Sequence, residues 1–255
     1  MTTRHGPTLF ARFAYPPNAL GYCGADDHAA LLEYGASGVV DGGLTGLART
    51  FEGAWPYLEL IAGSAGIADP LDLRVVEAYW IGNSLLERVP MTLVGSSLND
   101  RFRGAAGRAW ERLAETVPAG AMPNHAFHVF AVYPWVGLLR TGSTDNALHV
   151  LDRCRVRWGQ LLGCAGDTAF VRSRPLVWDG SLRLGRARVE AVVRATDGIG
   201  FVADLEPGDW VALHWEWVCD RLTQRQLRAL RRYSAMQLDL VNRRVAHSGP
   251  QTVLA

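Results

Sequence analysis

Pro207-Gly-Asp-Trp-Val-Ala-Leu-His-Trp-Glu-Trp-Val-Cys-Asp-Arg-Leu-Thr223, followed by Gln224 and an amphipathic run through Leu230, decides the fold class. Pro207-Gly208-Asp209 is a turn signal. Trp210 to Val218 is aromatic and β-branched, which reads as one strand. Strict alternation puts Val211, Leu213, Trp215 and Trp217 on one face and Trp210, Ala212, His214, Glu216 and Val218 on the other. Both faces are largely apolar, so a buried strand with an embedded His214 is expected. Thr223 reads as the N-cap of a helix running to about Arg243, with Leu227, Leu230 and Tyr233 to Met236 on its apolar stripe.

Upstream of this stretch, strand signals begin near Ala147. Val150 to Leu162, Ala169 to Val177, Ser181 to Val193 and Gly200 to Val202 are short runs between Gly or Asp turns. Gly142 to Asn146 is loop-like, and before it the pattern is helical. The expected architecture is α+β: a mainly helical domain over residues 1–145, then a small antiparallel β-barrel (OB-like) with a C-terminal helix over residues 146–255.

Within the first half, residues 1–22 read as irregular because Tyr15-Pro16-Pro17-Asn18 breaks a helix. Asp26 is a candidate N-cap for the helix through Tyr34. Leu44 to Ala62 has helical spacing interrupted by Pro56. Asp69-Pro70 is an expected helix start, and Leu98 to Thr116 reads as an amphipathic helix with its arginines outward. Asn124 to Leu139 is nearly all apolar, so it is expected at the centre, with a kink at Pro134.

The chain of 255 residues carries a formal net charge of +1, which leaves no electrostatic footprint for nucleic acid. Its basic residues are all arginines, so a Schiff-base or P-loop lysine is excluded. Gly-x-Gly-x-x-Gly, Walker and Gly-x-Ser-x-Gly motifs are missing, so no nucleotide cofactor is expected. The sequence opens without a signal-peptide pattern and has no apolar run long enough to span a membrane, so a cytoplasmic protein with reduced cysteines is expected.

Five residues are candidate metal ligands. Cys154 and His214 pair a soft thiolate with a borderline imidazole, a donor set suited to iron; a small buried thiol and a satisfied core histidine are the plainer use. His125 and His128, three apart, share a helix face with Cβ atoms about 5–6 Å apart, and fit either two ligands or, more commonly, two buried structural histidines. Cys23 lies in Gly21-Tyr22-Cys23-Gly24 just before a helix, where it is either a reactive or metal-binding thiol or an incidental residue in a tight turn. Glu33, Glu52, Glu59, Glu77 and Glu87 lack the Glu-x-x-His repeat of di-iron bundles and are expected to be solvent-facing or ion-paired.

Gly208, Trp210-Val211, Leu213-His214 and Leu222-Thr223 before a helix, together with Cys154-Arg-Val-Arg-Trp-Gly-Gln-Leu-Leu162, resemble the HypC/HupF family of nickel–iron hydrogenase maturation chaperones. The resemblance covers roughly residues 150–243. Trp158 stands where the family has Pro, and Cys154 is internal where the family's Cys is N-terminal, so no free amine accompanies this thiol. The resemblance implies that Cys154 holds an Fe(CN)2(CO) unit with His214 near it. It also implies that the partners are hydrogenase maturation proteins or the hydrogenase large subunit. Cys154 and His214 are then expected within about 4 Å of each other when loaded. The alternative is a metal- or haem-dependent enzyme whose site lies in the helical half, using His125, His128, Cys23 or His28 and supplying a diatomic ligand (CO) to the same pathway.

Overall fold

The Pro207–Leu230 stretch folds as a hairpin and a helix, and its turn falls inside the run expected as one strand. The computed structural model describes residues 5–106, 120–133, 135–140 and 144–247. Strand β8 (Trp210–His214) ends at the histidine, Trp215 takes a left-handed φ of 52°, and β9 (Trp217–Arg221) returns antiparallel with His214 opposite Trp217. The period-2 pattern ran through the turn because aromatic side chains occupy it on both sides.

The other long strands are β1 (Arg157–Ala165), β2 (Thr168–Ser173) and β5 (Arg188–Val193). They pair in the order β1-β2-β5-β9-β8, with β8 returning to β1 to close the sheet. The pairings are antiparallel except for a single parallel register, Val193 with Trp217. Two small hairpins, β3 (Leu176–Trp178) with β4 (Leu182–Leu184) and β6 (Ala195–Thr196) with β7 (Ile199–Gly200), decorate it. Leu161, Ala169, Val171, Val192, Val211, Leu213 and Val218 fill its interior.

Ahead of the sheet stand α1 (Gly6–Ala19), α2 (His28–Ser37), α3 (Gly42–Arg49), α4 (Trp55–Ala65), α5 (Leu73–Trp80), a 3-10 turn at Leu86–Arg88 and α6 (Met91–Ala106). They are followed by α7 (His125–Phe127), which continues as a π-helical turn at His128–Val132, then α8 (Trp135–Arg140) and α9 (Thr144–Cys154). The rest of the expected 98–116 helix, and Pro134 with its kink, lie outside the described residues. The N-terminal segment is not irregular: α1 runs through Pro16 and Pro17 into its last turn and is buried on nearly every side. An all-round apolar helix belongs in a core. Gly6 makes the packing possible, since a Cβ there would sit 1.8 Å from the Leu71 carbonyl oxygen.

Helix starts differ from the expected ones by a few residues. Asp27 precedes α2 without a side-chain cap, and Asp72, whose carboxylate accepts from the Arg74 amide, caps α5 in place of Asp69. Pro56 opens α4 rather than interrupting a helix, since proline suits the first helical turn. The segment expected as strand from Val150 is helical to Cys154, so Cys154 ends a helix and does not lie on β1.

The C-terminal helix α10 spans Gln224–His247 and opens with a capping box. The Thr223 hydroxyl accepts from the Gln226 amide, and the Gln226 side chain accepts from the Thr223 amide. Arg225 and Gln226 hold the buried Glu77 carboxylate, and the Tyr233 hydroxyl donates to the Asn83 carbonyl, so α10 lies against the helical half. The line expected between 145 and 146 falls inside α9. The largest buried cluster takes Leu9, Phe13, Tyr57 and Phe127 from one side of that line and Ala212, Trp217, Leu227 and Tyr233 from the other.

Candidate metal centre

Strand pairing brings Cys154 to His214. Arg157 lies opposite Leu213 in the antiparallel β1–β8 pair, so the residues just before β1 run past the end of β8. The Trp215 amide donates to the Arg153 carbonyl at 2.7 Å, which extends this register to the end of α9. His125 arrives from the helical half on α7, whose first turn is capped by Asn124. One donor atom from each of His125, Cys154 and His214 lies within 4.8 Å of the other two. Cys154 keeps part of its surface exposed as a residue, while its donor atom is buried with those of the two imidazoles.

Backbone carbonyls orient both imidazoles. His214 Nδ1 is 2.6 Å from the Phe13 carbonyl oxygen and donates to it. That carbonyl is available because its helical donor would be the amide of Pro17, which has no N–H. Its Nε2 then carries a lone pair, and it is buried without a hydrogen-bond partner. His125 Nε2 donates to the Cys154 carbonyl oxygen at 2.7 Å, which leaves its lone pair on Nδ1, 3.4 Å from the Tyr79 hydroxyl. An imidazole that donates from one nitrogen to a fixed carbonyl and offers the other is arranged as metal-binding histidines are.

Burial sets the protonation states. It lowers His125 to about 4, against the opposing pull of the Cys154 carbonyl. It lowers His128 to about 3, with His125 and Arg101 adding to the effect. His214 is pushed well below its ordinary value by burial and by His125. All three are therefore neutral near pH 7. Burial pushes the Cys154 thiol up, and Cys23 up to about 12. Neutral imidazoles, the buried His214 Nε2 without a partner and a thiol that a cation would deprotonate fit a metal ion.

The cluster forms part of the wall of one cavity of about 250 Å³. Cys23 and His128 line the same cavity, so all five candidate ligands meet there although only three form the tight cluster. His128 packs against Tyr57 and Tyr133, its Nδ1 3.3 Å from the Tyr57 hydroxyl. Cys23 sits on the loop between α1 and α2, its carbonyl held by Asn18. His28 is exposed beside Asp26 and takes no part. Among the carboxylates, Glu77 and Glu87 are ion-paired with Arg225 and Arg232, and Glu59 accepts from Trp55; none lines the cavity.

Trp80, Trp215, Tyr22 and Pro17 were not read from the sequence as site residues. Trp80 packs its ring 4.6 Å from His125 and 5.4 Å from His214. Trp215 and Tyr22 stack at 4.4 Å, with Tyr22 reaching the surface. Pro17 positions His214 through Phe13. Trp80 reads in sequence only as part of an apolar helical stripe, and the double proline reads as a helix breaker.

The chain belongs to DUF6390, a family of unknown function whose model matches residues 2–248, across both the helical and the sheet-forming parts. No curated protein and no solved structure matches it. Among the described residues no helix is long and apolar enough to cross a membrane.

Proposed function

We propose that the protein is a metal-binding accessory factor that holds iron on His125, Cys154 and His214, in the manner of a hydrogenase maturation chaperone. The observation that carries this reading is the convergence of Cys154 and His214, the two residues matched to the HypC/HupF motifs, with their donor atoms within 4.8 Å. The closed five-strand order with one parallel junction supports it further, because a small OB-type Greek-key barrel has five strands closing on one another. Three protein donors leave coordination positions on a bound iron for further ligands. The recipient in this reading is a hydrogenase maturation protein or the hydrogenase large subunit. Cys154 acts through its thiolate alone, since its amide is in a peptide bond.

A second reading, a metal-dependent enzyme acting on a small molecule, is favoured by the cavity itself and by His125, which belongs to the helical half. The cavity of about 250 Å³ is below the roughly 300–1,000 Å³ of ordinary cofactor pockets, so this reading concerns a metal ion rather than haem. Anaerobic titration with Fe(II), followed by elemental analysis, tests the carrier reading. One iron per chain is expected, lost in both Cys154→Ala and His214→Ala. Unchanged binding in those variants, or no binding by the wild type, overturns it. Turnover of a small molecule that depends on the bound iron would move the assignment to the enzyme.

A further inference from the structure

Besides the His214 nitrogen, two more polar atoms on this cavity have no partner. Trp80 and Trp215 both line it, are 5% and 4% exposed, and each has its indole Nε1 buried without an acceptor. Buried indole N–H groups normally find an acceptor, and an orphan donor is a sign of a missing water or ion. Among the described residues, two orphan donors and one orphan acceptor thus belong to side chains that line a single small cavity. Among the described residues its remaining wall is aromatic, aliphatic or neutral, with no Asp, Glu or Arg side chain. The two donors come from opposite halves of the fold, Trp80 at the end of α5 and Trp215 in the β8–β9 turn.

We propose that Trp80 and Trp215 select the exogenous ligand of the metal, and that this ligand is a small anion whose far end accepts hydrogen bonds from the two indoles. This rests on the metal-binding reading above. A metal held by two imidazoles and a thiolate supplies the positive charge that draws an anion into the neutral cavity. The indoles then distinguish an anion with an outward lone pair from a ligand that offers none. Among the described residues no cationic side chain lines the cavity, so the affinity depends on metal and indoles together. The cavity has room for a small anion beside the metal, and the exposed Tyr22 stacked on Trp215 puts it within reach of solvent.

Cobalt(II)-loaded protein and azide test this. Azide affinity is read from the visible cobalt spectrum on cobalt-saturated samples, so that differences in metal affinity drop out. Trp215→Phe and Trp80→Phe are each expected to weaken azide about tenfold, the loss expected for one hydrogen bond to a charged acceptor. The azide infrared stretch should shift in each variant. If one variant fails to fold, the other still decides. Azide binding that both variants leave unchanged overturns the indole assignment while the metal site stands. Cobalt that binds with no response to azide overturns the anion assignment. Failure of cobalt to bind at all overturns both this inference and the metal-binding reading.

Discussion

Pro17 governs the chemistry of a residue nearly two hundred positions away. Its missing N–H leaves the Phe13 carbonyl without a helical donor, and His214 Nδ1 fills the vacancy at 2.6 Å. Pro17→Ala would return an amide that competes for that carbonyl. The expected result is a mixture of His214 tautomers by nitrogen NMR and metal binding weakened about tenfold, the lower end for loss of an outer hydrogen bond to a ligand. A single unchanged tautomer with unchanged metal affinity would show that the imidazole is held by packing alone. The proximity of Cys154 and His214 was an expectation of the sequence, through the resemblance that pairs them, and their donor atoms do lie within 4.8 Å. Their orientation was not legible in the sequence, since it depends on a carbonyl freed in a distant helix. The proline rule that made residues 1–22 look irregular counts the lost helical bond, but not an external donor that satisfies the exposed carbonyl.

At the scale of elements, the end of α9 and the start of β1 are fixed to the sheet by ionic contacts. Glu190 on β5 accepts from Arg153 at 2.6 Å and also from Arg157 and Ser173. Arg153 reaches Glu216 at 3.0 Å, and Arg157, 1% exposed, donates to the Trp215 carbonyl. These bonds hold the helix end that carries Cys154 against the turn that follows His214. Burial alone would raise the Glu190 carboxyl, but Arg157, Ser173 and Arg153 outweigh it and hold it below the usual range. A lowered folded-state value means that the stability from this group is present above the unfolded carboxyl value, about 4.3. That stability is lost as the pH falls through the folded value. Glu190→Gln should therefore cost about 3 kcal/mol at pH 7, as expected for a buried Arg157 deprived of its counter-charge. It should also flatten the acid limb of a Tm-against-pH curve. A variant that melts like the wild type at pH 7 would show Arg157 to be compensated elsewhere. The order of a helical region, then strands, then a C-terminal helix was readable from period and propensity. The helical end at Cys154 was not, because Val150 and Leu151 suit a strand as well as a helix, and what places them in a helix is its packing on α8 and β3.

Over the whole molecule, the apolar core ignores the boundary that composition suggests near residue 146. Buried residues of α1, α4 and α5 share one cluster with β8, β9 and α10, and the family model likewise runs from residue 2 to 248. A fragment of residues 146–255 would expose the faces of Ala212, Trp217, Leu227 and Tyr233 that this cluster covers. It is expected to lack a cooperative melting transition, and a sharp one would show that the sheet and α10 fold by themselves.

The metal should bind the same two regions together, because His125 comes from one and Cys154 and His214 from the other. A ligand that binds only the folded state adds about 2.7 kcal/mol at a free concentration of one hundred times its Kd. For a chain of this size, that raises Tm by about 5–10 °C. Calorimetry with saturating cobalt should show one transition moved upward as a unit, not two transitions of which one moves. His125→Ala, outside the segment that resembles the maturation chaperones, should remove most of that shift, because a site left with one thiolate and one imidazole loses a third of its protein donors. A full shift in His125→Ala would place the metal on the sheet side alone. The helical half would then contribute the wall of the cavity, through Trp80 and Tyr79, but no donor to the metal.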